Sequence, residues 1–168
     1  MSSLALRRAG PAEAAPVAAL LASAGAALAA QGFRNWERPY PLDRVKRDIE
    51  ERVVFLVTDG DDPVATFTLG SSAVIPYALP PWPDPALAAV YLNRMAVLPA
   101  RQGTGLGRWC LAEIDREATT RGASAVRCDV LAENGRACRF YESHGYRDWG
   151  MREHSSWQFR CYERRIVP

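Results

Sequence analysis

At 168 residues with a formal charge of +2, the chain has the size of one domain, 1–168, with a buried core, and carries neither a basic patch for nucleic acid nor an acidic tail. Its four cysteines, Cys110, Cys128, Cys138 and Cys161, have no short paired spacing, and His144 and His154 do not join them at metal-ligand intervals. No metal site is expected, and the thiols read as reduced packing residues of a cytoplasmic protein.

Arg7 and Arg8 precede an alanine-rich stretch, 14–30, that mimics a signal peptide. The local signals favour another reading: a short strand over Leu4 to Arg8, then a turn at Gly10, with Pro11 for the first helical turn and Glu13 at the helix N-terminus. Glu13 and Pro16 shorten the apolar run, so no stretch is expected to reach the roughly 18 to 20 apolar residues of a membrane span. The helix runs from Pro11 to about Ala30 with Val17, Leu20, Leu21 and Leu28 toward the core, and Gly25 weakens its middle.

Residues 31–41 are aromatic and irregular, and a second helix follows from Leu42 to Glu51. Val53 to Thr58 and Val64 to Leu69 read as strands joined by a hairpin turn over 59–63. Prolines at 76, 80, 81, 83 and 85 make that region a loop with Tyr77 and Trp82 as anchors. Tyr91 to Val97 is the central strand. Leu106 to Arg121 is a helix with Leu106, Cys110 and Ile114 at four-residue steps and Gly122 as its stop. A strand over Val126 to Leu131, a short helix from Asn134 to Ser143, and strands over Tyr146 to Arg152 and Ser156 to Val167 complete the chain. Strand, loop, helix and strand make a right-handed βαβ unit.

The join between the central strand and its helix reads Arg101, Gln102, Gly103, Thr104, Gly105, Leu106, Gly107. Three alternating glycines let backbone N–H groups turn toward one point, and the helix adds its unpaired N-terminal donors. A pyrophosphate would fit there. Counting from Gly103, the sixth position is Arg108, which breaks the dinucleotide-binding fingerprint, and no lysine supplies a P-loop.

This segment resembles the signature of the GNAT superfamily of acyl-CoA-dependent N-acetyltransferases, Gln/Arg-x-x-Gly-x-Gly/Ala. Arg94 to Val97 with Pro99 is similar to the family's central strand, and Asn134 with Ala137, Phe140, Tyr141, Glu142, Gly145 and Tyr146 to its later block. The resemblance implies an α/β fold: a mixed, mostly antiparallel twisted sheet of about seven strands, helices on both faces and a splayed central strand. It implies acetyl-CoA as cofactor, its pantetheine arm on the backbone of Met95, Ala96 and Val97. Its pyrophosphate would lie on Gln102, Gly103, Thr104, Gly105, Leu106, Gly107 and Arg108, with a further contact from Asn134. It also implies Tyr141 as the acid that protonates the departing thiolate and the Val97 N–H as oxyanion donor.

Bland roles stand beside these. Asn134 suits a helix N-cap, and Tyr141 beside Phe140 suits a core aromatic. Trp36, Tyr40, Tyr77 and Trp82 lie in the segments that line the acceptor site in the family, and equally serve to pin irregular loops. In several family members an acid on the central strand is the general base. Here the nearby side chain is Asn93, so the base stays open among Glu37, Asp43 and Asp84, while Asp129 would equally be structural. The expected reaction is direct acetyl transfer to a small-molecule primary amine, without nucleic acid or membrane. The alternatives are a non-catalytic acyl-CoA sensor and acetylation of a protein N-terminus or lysine. Dimers are common among such folds, and the aromatic final strand is the expected homodimer contact.

Overall fold

The computed structural model describes residues 4–33, 38–75 and 82–166. Trp36, Glu37 and Tyr77 lie outside these residues. Among the described residues there are seven strands, β1 Leu4–Arg8, β2 Val53–Asp59, β3 Asp62–Gly70, β4 Ala89–Val97, β5 Ala125–Leu131, β6 Arg147–His154 and β7 Trp157–Arg165. The helices are α1 Ala14–Ala29, α2 Leu42–Glu51, α3 Leu106–Thr120 and α4 Gly135–Ser143. Hydrogen bonding orders the strands β1-β2-β3-β4-β5-β7-β6. The β1–β2, β2–β3, β5–β7 and β6–β7 ladders are antiparallel and β4–β5 is parallel, which is the mixed, mostly antiparallel sheet expected. A parallel pair needs a crossover, and α3 supplies it. That ladder holds only Ala89 with Ala125, Val90 with Val126 and Tyr91 with Arg127, although β4 continues to Val97 and β5 to Leu131.

By their contacts the residues form two compact units, 1–69 with 94–111, and 70–93 with 112–168. In the first, Glu13 accepts from the Gly10 N–H at 2.7 Å and pairs with Arg7, which fixes the entry to a short 3-10 turn at Pro11–Glu13. The turn and α1 run without a break from Pro11 to Ala29, 19 residues, and are long and apolar enough by length and composition to cross a membrane. This corrects the expectation from sequence. The reason is that Glu13 sits at the very start of the helix and Pro16 in its first turn, where a missing N–H costs nothing. One face of α1, with Val17, Leu20 and Leu21, is buried in a cluster with Val45, Ile49, Val54, Leu56 and Ala96. The helix also continues through Gly25, which is buried.

The β2–β3 turn is shorter than the sequence suggested, because pairing extends to Asp59 with Asp62. Gly60 takes the left-handed φ of 62° that a tight hairpin demands. Pro63 is tolerated inside β3 because it lies opposite a break in register between Val57 and Thr58. In the second unit, β5 pairs with β7 from Ala125 opposite Arg165 to Leu131 opposite Phe159, and β6 returns along β7 with a register break between Asp148 and Met151. Gly150, at φ 96°, falls in that break.

Candidate active site

The glycine segment follows β4 within the first unit. The Leu98 N–H, just past the end of β4, donates to Val64 O at 3.0 Å. A 3-10 turn, Pro99–Arg101, comes next. It is pinned by Arg101 Nη2 to Asp59 Oδ2 at 2.8 Å, while Gln102 Nε2 donates back to Val97 O at 3.3 Å and Thr104 Oγ1 to Arg101 O at 2.7 Å. Gly103 and Gly105 have φ of 77° and 89°. A side chain in this region costs roughly 1–2 kcal/mol, so both positions call for glycine.

Helix α3 begins at Leu106, as expected, so Gly107 lies in its first turn, and of the three alternating glycines only Gly103 and Gly105 take left-handed backbone. The first bond of the helix runs from the Trp109 N–H to Gly105 O at 3.0 Å, which leaves the N–H groups of Leu106, Gly107 and Arg108 without an acceptor inside the helix. Leu106, Cys110 and Leu111 are buried and hold the helix start in place, whereas 102–105 and Arg108 are exposed. Exposed amides followed by helix N-terminal donors form an anion site.

One further feature of this unit was not read from sequence. Arg94, in the body of β4, has a left-handed φ of 51°. Its Nε lies 3.2 Å from Asp48 Oδ2, and its Cζ stands 4.6 Å from the centroid of the Tyr40 ring. Tyr40 Oη donates to the same Asp48 oxygen at 3.1 Å. Burial, above all, holds the Tyr40 hydroxyl above its ordinary pKa, so it stays a donor. Asp48 is buried with Val45 and Ile49 on one face of α2. An acid on the core stripe of an amphipathic helix was the signal that would have found it.

In the second unit, Asn134 caps α4, its Oδ1 accepting from the Ala137 N–H at 3.1 Å. Tyr141 is buried in an aromatic group, its ring 5.1 Å from Tyr146 and 6.1 Å from Tyr162 between centroids. Tyr162 Oη donates to Glu142 Oε1 at 2.8 Å. Asn93 donates from Nδ2 to Tyr91 O at 3.1 Å. Trp82 is buried over the Arg127 guanidinium, 5.1 Å from Cζ to the ring centroid. Arg127 in turn donates to Asp84 O at 2.6 Å, Tyr91 Oη at 3.2 Å and Glu163 Oε2 at 2.8 Å. An arginine in the apolar strand Ala125–Leu131 was the available signal for this anchor.

Of the carboxylates considered as bases, Glu37 lies outside the described residues. Asp43 is 94% exposed, Asp84 caps the Ala86 N–H at 3.2 Å, and Asp129 lies opposite Cys161 in the β5–β7 ladder.

The sequence profile of the acetyltransferase (GNAT) family matches residues 25–146. The chain belongs to this family. GNAT acetyltransferases use acetyl-CoA, a cofactor that carries a pyrophosphate. Solved GNAT-type structures share the fold. A GNAT family acetyltransferase from Streptococcus agalactiae superposes with a TM-score of 0.80 at 17% identity, over 98% of this chain and 96% of its own. The ribosomal-protein-S18-alanine N-acetyltransferase of Escherichia coli gives 0.73 at 17% identity, over 99% and 96%. An acetyltransferase from Salmonella typhimurium, solved with its cofactor acetyl-CoA, gives 0.67 at 18% identity, over 98% and 94%.

Proposed function

We propose that this GNAT chain is an N-acetyltransferase that moves an acetyl group from acetyl-CoA to the primary amine of a small molecule by direct attack. The observation that carries the reading is the loop with Gly103 and Gly105 in left-handed backbone ahead of α3, whose exposed amides suit a pyrophosphate. Gln102 to Gly107 and the exposed Arg108 would hold that group, with Asn134 as a further contact, and the backbone of Met95 to Val97 would hold the peptide-like arm. When bound, acetyl-CoA supplies the activated thioester acyl group. The Val97 N–H is the donor assigned to the carbonyl oxygen, and the Tyr141 hydroxyl is the acid that gives up a proton to the departing sulfur. Tyr40, Trp82 and Asn93 are assigned to the acceptor side. The whole chain, 1–168, is read as one such domain, and four free, buried cysteines support a reducing, cytoplasmic setting.

A second reading has its own observation. Asn93 offers no proton acceptor and its amide is engaged with Tyr91 O, which favours an acyl-CoA-binding domain without turnover. Calorimetric titration with acetyl-CoA and CoA, followed by thiol release against a panel of small amines and peptides, separates these. Binding with release on small amines is the expected result. Release on peptides alone moves the acceptor to a protein N-terminus or lysine, binding without release selects the second reading, and no binding overturns both.

A further inference from the structure

Two local penalties meet at Arg94. Its backbone is left-handed, and its Nη1 is buried with no hydrogen-bond partner among the described residues. Such outliers persist only where the surroundings over-determine them, and they gather at working sites. A glycine at this position would turn the strand without strain, but would leave the turn loose. Arginine instead ties it to α2.

We propose that Asp48 is a positioning residue for acyl transfer: its ion pair with Arg94 holds the left-handed turn of β4 and so sets where the backbone of Met95 to Val97 stands. The inference rests on the reading of β4 as the strand that receives the acyl arm. The far end of that segment is fixed by the Leu98 N–H on Val64 O at 3.0 Å and by Gln102 on Val97 O at 3.3 Å. Its near end begins at Arg94. Val45 and Ile49, buried beside Asp48 on α2, share the core cluster with Ala96, so the helix, the carboxylate and the strand move as one packed group. Tyr40 completes the brace, its hydroxyl on the Asp48 oxygen that also faces Arg94 Nε and its ring against the guanidinium. A pair selected for stability alone would have no reason to keep a buried donor unpaired on a strained backbone.

The test compares D48N, R94G and D48N/R94G with the wild-type full chain. Thiol release with the best amine of the panel gives kcat and KM, calorimetry gives acetyl-CoA and CoA affinity, and amide hydrogen exchange at Ala96 and Val97 is followed in the ligand-free protein. D48N is expected to lower kcat roughly tenfold or more, as misplacement of a reacting group does, and to speed exchange at both amides. Because glycine makes the turn from the backbone alone, D48N/R94G is expected to regain kcat to within about threefold of wild type. D48N with a lowered melting midpoint but wild-type kcat and exchange overturns the proposal, as does a double variant no better than D48N. If D48N does not fold, D48N/R94M, which removes the ion pair without leaving a buried charge and keeps a side chain on the left-handed backbone, is expected to move kcat and exchange in the same direction, and unchanged values overturn the proposal. A wild-type chain that binds no acetyl-CoA sinks the acyl-strand reading, while the exchange rates still report whether Asp48 holds β4.

Discussion

Arg127 on β5 and Glu163 on β7 stand opposite each other in the ladder and form a buried ion pair, Nε to Oε2 at 2.8 Å, with their side chains 1% and 2% exposed. Breaking such a pair from one side leaves an uncompensated charge, at a cost of about 3–5 kcal/mol. The two halves are not equivalent. Glu163 keeps a second partner, Arg165 Nε on Oε1 at 2.8 Å, when Arg127 is removed, whereas Arg127 without Glu163 keeps, among the described residues, the neutral acceptors Asp84 O and Tyr91 Oη. Glu163→Leu is therefore expected to lower the urea midpoint more than Arg127→Met. Equal losses would mean that Arg165 does not share the charge. Arg127→Met should also shift Trp82 fluorescence, since the indole loses the cation beneath it.

Tyr141→Phe separates catalysis from packing. The ring contacts with Tyr146 and Tyr162 survive the change, so the chain is expected to stay folded, with the melting midpoint lowered by no more than the loss of one hydroxyl allows. Loss of a general acid lowers turnover by roughly 10²-fold or more, and acetyl-CoA affinity by calorimetry should stay within experimental error. Wild-type kcat in this variant would return Tyr141 to the aromatic group alone.

Asn134 carries a cap that is visible and a cofactor contact that is proposed, and three substitutions distinguish them. Asn134→Ala is expected to cost about 1 kcal/mol by loss of the side-chain acceptor. Asn134→Asp and Asn134→Ser retain an oxygen for the Ala137 N–H and should restore most of that stability. If Asn134 also faces a pyrophosphate, the aspartate variant will bind acetyl-CoA more weakly than the serine variant, because its charge repels the anion. Equal affinities would confine Asn134 to capping.

Asp115 predicts a pH dependence whose sign follows from its burial. Burial raises its carboxyl above the ordinary 3.8, an effect partly offset by Arg164, whose Nη2 lies 3.0 Å from Oδ2. The folded chain thus keeps a proton that the unfolded chain has lost, and stability falls as pH rises from 3.8 through the raised value. Glu13 acts in the opposite sense. Its hydrogen bonds from Arg7 and Gly10 lower its pKa, so its contribution is present above 4.5 and lost as pH falls through the lowered value. Asp115→Asn should remove only the first slope, read as the difference between wild-type and variant denaturation free energies across the acid range. Parallel curves would show that Asp115 titrates as it does when unfolded.

Much of the fold was legible because its causes are local. The continuous apolar run in Val53–Asp59, the four-residue steps of Leu106, Cys110 and Ile114, the turn glycines and the Asn134 cap each act within a few residues. The anion loop belongs to the same class, since Gly103 and Gly105 declare their left-handed backbone by lacking a side chain. Gly107 differs from them, because it sits inside the helix that begins at Leu106 and takes no left-handed backbone.

What the tertiary structure decided was which polar side chains lie inside. Asp48, Arg94 and Tyr40 meet across separate elements, and Arg127 meets Trp82, Asp84 and Glu163 in the same way. Each of these residues would read as a surface charge or a loop aromatic when taken by itself. A buried charge is tolerable only when its partner arrives, and the left-handed turn at Arg94 persists only because α2 brings Asp48 to it. Periodicity and turn chemistry are written in neighbouring residues, whereas the pairing of distant charges exists only once the chain has closed on itself.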